Sequence, residues 1–525
     1  MASLTGTSAD SLPPGTRLLE GEILLVPTPM NDMNDPLNWS RWRKFINWTL
    51  VLSVTTAAFT GLSIQVNFWQ QMTVEMDLTY EQLNNSMSAN GAGCALGCVV
   101  FIPIAQKYGR RSVYIISTAL MAASSWWTSR MTTLPELYLT NLLFGLSGSV
   151  NETLAQMTLA DLFFIHQRGT INATYLTAVI VGSFLTPIPA GAQALHQGWR
   201  WSYYALSISL TILSVLFVVA YEETKYVPAV EGVREGEQDD LFLKADIMTK
   251  STNLARSRSV PEQQQPVPSK PYGERFAWLT TTGESLWKLF YFPFLVSGLP
   301  HVAFASLQYA SGVTWLVIQA SILSMIFSAP PYNFTTASLG YLGLGPFIGN
   351  LIGSFYGGIL GDWAVRFFSR KNGGYYEPEY RLYHLLLPCF AQAGGLVMFG
   401  ATIARGMHWI YPSIGGGLFA FGLGAIGDAV FTMVLDTYEG LAGSCFIVIA
   451  FFRNVVSIGI PFAIVPWMNS QGLTNMHIVM GCVSLFISLL HIPMIFWGKK
   501  LRVHHAARYS ELLGRQMKHG QGGRA

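Results

Sequence analysis

Three ionisable residues sit where an ion is expensive. Glu152, Asp428 and Arg453 each lie inside a long apolar run. A charged side chain costs about 2.5–3.5 kcal/mol at a bilayer centre on the insertion scale, so such a residue is a candidate for function by default. Glu152 follows Asn151, and Arg453 precedes Asn454. A carboxyl group shielded from water holds its proton more tightly and can exchange it near neutral pH. The same group can instead recognise a cation. Glu152 is the first candidate for either role and Asp428 the second. The competing reading is structural, with Arg453 neutralising one of the two.

A second constellation is basic. Lys107, Tyr108, Gly109, Arg110 and Arg111 separate two uncharged runs, Ser88 to Ala105 and Ser112 to Ser129. Three cations in five residues mark a membrane interface, and the glycine suits a tight turn. Gly358, Asp362 and Arg366, followed by Arg370 and Lys371, form a partner copy later in the chain. These groups suit a gate in which cations pair with carboxylates across one membrane face. The plainer reading is a topology anchor beside anionic lipid.

The elements that position these residues are membrane helices. The chain has 525 residues, 51% hydrophobic and 12% charged, with a mean hydropathy of +0.35. A soluble domain is roughly 25% charged. The 50 glycines fit close helix approach in lipid. A net charge of +3 gives no support to nucleic-acid binding. All five cysteines fall in apolar runs, which points to buried thiols rather than disulfides. Cys94 and Cys98 lie one helical turn apart but lack a His or acidic companion, so packing is expected and a metal site is not. No phosphate-binding Gly-Lys-Ser/Thr loop and no nucleophile–base set occurs. Neither an enzyme nor a bound cofactor is expected.

About 20 apolar residues span a bilayer. Twelve segments qualify: 45–67, 86–106, 112–130, 136–161, 169–193, 200–221, 293–327, 336–361, 383–404, 409–434, 442–468 and 475–497. Pro293, Gly298 and Pro300 predict an irregular start to the seventh. With both ends in the cytoplasm, 28 of the 32 Lys and Arg fall on the cytoplasmic side. Thirteen spans would move the C-terminal cations outside. The expected organisation is a cytoplasmic tail (1–44), a six-helix lobe (45–221), a cytoplasmic and largely disordered loop (222–292), a second six-helix lobe (293–497) and a basic cytoplasmic tail (498–525). Loop composition between Ser251 and Pro271, rich in Ser, Arg, Gln and Pro, cannot bury enough apolar area to fold alone.

The paired hairpins resemble the loop signature of the major facilitator superfamily, Gly-x-x-x-Asp-Arg/Lys-x-Gly-Arg-Arg/Lys. The first copy keeps Lys107, Gly109, Arg110 and Arg111 but has Ile102 and Gln106 in place of the glycine and aspartate. The second keeps Gly358 and Asp362. A finer resemblance, to fungal members of the 12-helix drug:proton antiporter group, rests on Asp35, Pro36, Asn38, Trp39, Trp42, Arg43 and Lys44. It continues through Ala160 to Phe164 with His166, Arg168 and Gly169, Gly198 to Trp201, and Asn372 to Gly374. Glu377 to Glu379, Arg381, Phe452 to Asn454 and Pro461 complete it. Gly182, Pro187 and Gly191 echo the antiporter signature of the fifth span, while Asn141 stands where an arginine is usual in the fourth.

The resemblance implies the major facilitator fold, an all-α membrane protein of two six-helix lobes. It further implies proton-coupled movement of a small organic compound by alternating access, usually efflux of a drug or secondary metabolite across the plasma membrane. The alternative is a proton-coupled importer of a cationic nutrient such as a polyamine. A non-transporting receptor is a third class. By family architecture, spans 1, 4, 7 and 10 face a central cavity. Asn67, Asn151, Gln156, His301, Gln308 and Tyr309 are then cavity candidates, with Gln65, Trp69 and Trp315 beside them. The expected partners are the substrate and the lipid bilayer, and the expected state is a monomer. Asn84 and Asn333 match the glycosylation pattern on the predicted outer face.

Overall fold

The computed structural model describes residues 14–18, 34–163, 165–225, 275–276, 278–280 and 285–521. The first half contains α1 (Arg41–Ile64), α2 (Trp69–Met76), α3 (Tyr80–Tyr108), α4 (Arg110–Thr128) and α5 (Leu134–Gly148). It continues with α6 (Val150–Leu162), α7 (Ile165–Ile180), α8 (Pro187–Gln197) and α9 (Trp199–Ala220). The second half contains α10 (Leu286–Val296), α11 (Pro300–Phe327), α12 (Thr336–Leu342), α13 (Leu344–Lys371) and α14 (Leu386–Ala404). Then come α15 (Ile410–Thr437), α16 (Ala442–Leu489), α17 (His491–His504) and α18 (Ala506–Gln521). Two short strands, β1 (Arg17–Leu18) and β2 (Tyr375–Tyr376), pair antiparallel.

Every predicted span coincides with a helix or a helix pair. Eight stretches of described helix are long and apolar enough to cross a membrane. They hold nine of the twelve predicted spans, because Glu439–His504 carries the last two. Gly472, at φ +74°, breaks that stretch where the turn between spans was expected. Spans 112–130, 136–161 and 336–361 fall outside the eight. The second of these is split at Ser149 between α5 and α6, and the third at Gly343 between α12 and α13. The seventh span begins irregularly, with Ser297, Gly298 and Leu299 separating α10 from α11.

Local chemistry sets several ends. Thr79 and Gln82 form a reciprocal capping box that starts α3, and Thr133 with Glu136 starts α5. The π-turn at Val181–Leu185 precedes Pro187, which lacks the N–H needed to continue a regular ladder.

Glycines decide how closely the helices approach. A Cβ on Gly345 would stand 2.6 Å from the Ser413 carbonyl oxygen, and one on Gly357 would stand 3.0 Å from that of Ala425. Cβ atoms on Gly349 and Gly353 would overlap the carbonyls of Gly417 and Phe421. The four-residue repeat therefore lays one face of α13 directly on the backbone of α15.

The halves meet where α3 packs on α16 and α8 packs on α12. β1, the 107–111 turn, residues 221–225 and residues 371–382 lie toward one face, termed here the tail face. At the opposite face, the halves are tied by hydrogen bonds. Asn84 Nδ2 donates to the Pro461 carbonyl (2.5 Å), Ser324 Oγ to Val66 (2.5 Å) and Thr336 Oγ1 to Gly191 (3.3 Å). This corrects one expectation: Asn84 is fully buried inside α3, so a glycan cannot be placed on it. Asn333 is exposed in the turn before α12.

Most of the expected loop 222–292 (226–274, 277 and 281–284), with 1–13, 19–33 and 522–525 of the tails, lies outside the described residues. The described ends of that loop are bound to the 107–111 hairpin. Thr280 N donates to the Tyr108 carbonyl (2.8 Å) and Lys225 Nζ to the Lys107 carbonyl (2.8 Å). The last segment, expected as a tail, is helical through α17 and α18, and Leu512 is buried against the second half.

Candidate functional site: a cavity between two helical halves

A cavity of about 350 Å³ lies between the halves, lined by α1, α3, α6 and α7 on one side and α11, α13, α15 and α16 on the other. Its wall is mainly apolar. All three intramembrane ions of the sequence reach it: Glu152 from α6, Asp428 from α15 and Arg453 from α16. That is the usual make-up of a small-molecule pocket, with few polar groups in an apolar lining.

Glu152 and Arg453 form an ion pair that bridges the halves, and both side chains are 8% exposed. The Arg453 guanidinium also donates to Asn454 Oδ1 (2.7 and 3.0 Å) and lies 5.5 Å from the Tyr309 ring centroid. Cys98 accepts a weak hydrogen bond from Asn454 (3.7 Å), and Cys94 lines the cavity. No group of three or more metal-ligating side chains occurs among the described residues.

Asp428 differs. No cation pairs with it among the described residues. Its neighbours are small: a Cβ on Gly358 would lie 3.6 Å from Asp428 Oδ2, and one on Gly357 would lie 3.4 Å from its Cβ. Gly358, read from sequence as part of a gate, thus also borders a cavity carboxylate. Tyr309 stacks edge-on to Phe431 at 4.6 Å, and both line the cavity.

The other cavity candidates divide. Asn67 lines the cavity and donates to the Pro187 carbonyl (3.5 Å). Asn151 is fully buried beside Glu152 in α6 but outside the lining. Gln156 bonds Asn172 (3.0 Å), and Gln308 bonds the Ile487 carbonyl (2.6 Å). Both tie helices together rather than face the cavity. Trp69 and Trp315 are buried in packing, and Gln65 bonds Ser86 (3.1 Å). His301 is displaced furthest from expectation. Its Nε2 lies 3.2 Å from Glu379, toward the tail face. Residue type alone does not reveal which side of a helix points inward, so each of these needed the packing.

Sequence reasoning passed over Asn90, Gln319, Asn350 and Ser354, all of which line the cavity. The available signal was the same as for Gln308: a polar residue inside an apolar span.

The hairpins form two related networks. In the first half, Arg110 Nε pairs with Asp161 (3.2 Å). The Glu223 carboxylate accepts from the backbone N–H groups of Arg110 (2.9 Å) and Arg111 (3.1 Å), an anion on the N-terminus of α4. Gly109, at φ +111°, admits it, since a Cβ there would overlap that carboxylate. Arg111 is buried and donates to the carbonyls of Tyr221 (2.9 Å) and Phe276 (2.7 Å). Lys107 Nζ lies 5.4 Å from the Tyr108 ring centroid. Burial, opposed by nearby Glu223, draws the Arg111 guanidinium below its ordinary range.

In the second half, Arg381 bridges Asp362 (3.1 Å) and Asp436 (2.7 Å), while Arg366 donates to the Asp362 carbonyl (3.2 Å). The described partners of Arg110 and Arg111 are within the first half and the loop ends, and those of Asp362 are within the second. Beside these networks, Arg502 is fully buried between Glu377 and Glu379 and donates to the Pro14 carbonyl (2.6 Å), holding residues 14–18 against the second half.

Relatives of the whole chain exist. It is 30% identical to an uncharacterized MFS-type transporter, C1271.10c, of Schizosaccharomyces pombe, covering 94% of this chain and 90% of that one. It is 26% identical to Protein HOL1 of Saccharomyces cerevisiae, covering 92% and 90%. The MFS-type transporter penM of Penicillium rubens is also 26% identical, covering 90% and 88%. Among solved structures, the proton:xylose symporter XylE bound to 6-bromo-6-deoxy-D-glucose overlays with a TM-score of 0.59 at 12% identity, covering 87% of this chain and 97% of that chain. That likeness concerns the fold alone. The Major Facilitator Superfamily profile matches residues 51–464. With its two helical halves, its central cavity and these matches, the chain belongs to the major facilitator superfamily, as a multi-pass membrane transporter.

Proposed function

We propose that the protein is a proton-coupled exporter of small organic compounds, acting by alternating access as a monomer in the plasma membrane with both tails cytoplasmic. Asp428 carries this reading, because it is a cavity carboxylate without a paired cation. Such a group can hold either a proton or the positive charge of a cargo, and competition between the two couples their movements. Glu152, engaged by Arg453, serves better as a mid-depth clasp between the lobes than as the titrating group. The ties at the opposite face support loading from the tail face. The hairpin networks around Arg110 and Asp362 would brace that face and rearrange as the lobes rock. Protons are the only coupling species the reading needs, and no catalytic step enters it. The acid excess of the cavity, two carboxylates against one guanidinium, keeps one second reading in view: import of a cationic nutrient on the same site.

The test uses the purified full chain in liposomes, with a fluorescent organic cation and an imposed pH gradient. Movement should follow the gradient, stop on addition of a protonophore and be lost in Asp428→Asn. Movement indifferent to the gradient would reject proton coupling. The sign of the gradient that drives accumulation separates export from import.

A further inference from the structure

Residues 14–18 belong to the chain that enters the first half, yet their described contacts lie in the second. β1 pairs with β2 through Arg17 and Tyr376. The Thr16 hydroxyl donates to Glu377 (2.8 Å) and accepts from the buried Arg502 (3.0 Å). Gly15, at φ +83°, lies so close to the end of α15 that a Cβ would stand 2.9 Å from the Asp436 carbonyl oxygen and from Thr437 Cα. Residues 36–38, by contrast, pack on α6, and the Leu37 carbonyl accepts from Lys44 Nζ (2.9 Å). The N-terminal chain therefore crosses the tail face from one half to the other. Residues 19–33, between these anchors, reach about 50 Å when extended, too long to tie the halves by tension. Any effect must come from the dock itself.

The dock touches the second-half network. The Tyr376 hydroxyl donates to Asp436, whose carboxylate pairs with Arg381 (2.7 Å), and Arg381 pairs with Asp362 (3.1 Å). The segment also spans several elements: Asp436 is in the last turn of α15, Tyr376 lies between α13 and α14, and Arg502 is on α17. A segment whose binding depends on the relative placement of several elements favours the conformation in which they are so placed.

We propose that residues 14–18 are an intramolecular latch, docked on the second half, that stabilises the conformation seen here, closed at the face away from the tails, by holding Tyr376 against Asp436. This rests on the reading of the hairpin networks as braces that rearrange as the lobes rock. Undocking the segment loosens the Asp436 network and lets the tail face close more readily.

The experiment places spin labels at Val74→Cys and Asn333→Cys, one exposed position per half at the face away from the tails, in the full chain with Cys482→Ser. Pulsed electron resonance in lipid nanodiscs reads the ratio of short to long label distances. Gly15→Val and Thr16→Glu undock the segment by bulk and by a third carboxylate beside Glu377 and Glu379. Each should lower that ratio about three- to tenfold, the range expected for one net hydrogen bond. Tyr376→Phe, which keeps the strand pairing but loses the tie to Asp436, should do the same. An unchanged ratio in either tail variant, or in Tyr376→Phe, overturns the proposal. If Asp436→Asn lowers the ratio while the tail variants do not, the network braces the face as read above and the latch alone fails. If Asp436→Asn leaves the ratio unchanged, that reading of the network fails and the latch fails with it.

Discussion

The clasp between Glu152 and Arg453 makes the most demanding prediction. Both side chains are 8% exposed, so each charge depends on the other for compensation. Removing one partner of a buried pair costs about 3–5 kcal/mol, because the survivor is left uncompensated in a low-dielectric site. Glu152→Gln is the cleaner perturbation, since an arginine cannot escape by releasing its proton. Arg453 would keep Asn454 and the Tyr309 ring, which places the expected loss near the lower end, about 3 kcal/mol. Replacing both members, Glu152→Gln with Arg453→Met, removes the stranded charge and should recover most of that loss. The coupling in the double-mutant cycle should then be about 2 kcal/mol or more. Equilibrium denaturation of the purified protein in detergent micelles, followed by tryptophan fluorescence, measures all four corners. A single-mutant loss below about 1 kcal/mol, or a double mutant no more stable than Glu152→Gln, would refute a buried pair that clasps the halves.

Two further predictions concern the second half. Asp436 is less exposed than Asp362 (29% against 63%) and accepts from both Arg381 and Tyr376, so Asp436→Asn should lower transport per molecule at the cell surface more than Asp362→Asn does. Transport assays normalised to surface-labelled protein check the order, and the reverse order would show that Asp362 is the stronger anchor of Arg381. Gly353→Ala places a methyl against the Phe421 carbonyl and should destabilise the α13–α15 contact by about 1–3 kcal/mol, seen as a lower unfolding midpoint, whereas Gly373→Ala, with open space around it, should lose stability only through its φ of +66°.

Much of the architecture was legible because lipid imposes a one-dimensional code. Apolar length gave the spans, and cation placement gave their expected orientation. Gly472 falls in the gap between the last two spans, and the Ser297–Leu299 break falls between Pro293 and Pro300. The three intramembrane ions were visible for the same reason, and all three reach the cavity. The polar residues were harder. Gln308 and Gln319 lie on one helix, eleven residues apart, yet one bonds the carbonyl of Ile487 and the other lines the cavity. His301, on that same helix, belongs to the Arg502 cluster with Glu379.

The sequence by itself therefore determined the solvent, the number of spans, the two-half repeat and the identity of the costly charges. Each of these follows from composition along the chain, where every buried ion or long apolar run carries its own free-energy signature. Only the tertiary structure decided the partners. It joined Glu152 to Arg453 across 301 positions of sequence. It left Asp428 beside Gly358, and it brought Glu223, from the end of the first half, onto the backbone N–H groups of Arg110 and Arg111, in the hairpin where Gln106 replaces the signature aspartate. Pairing depends on which helix faces meet, and that is set by glycine contacts and helix packing rather than by any residue alone.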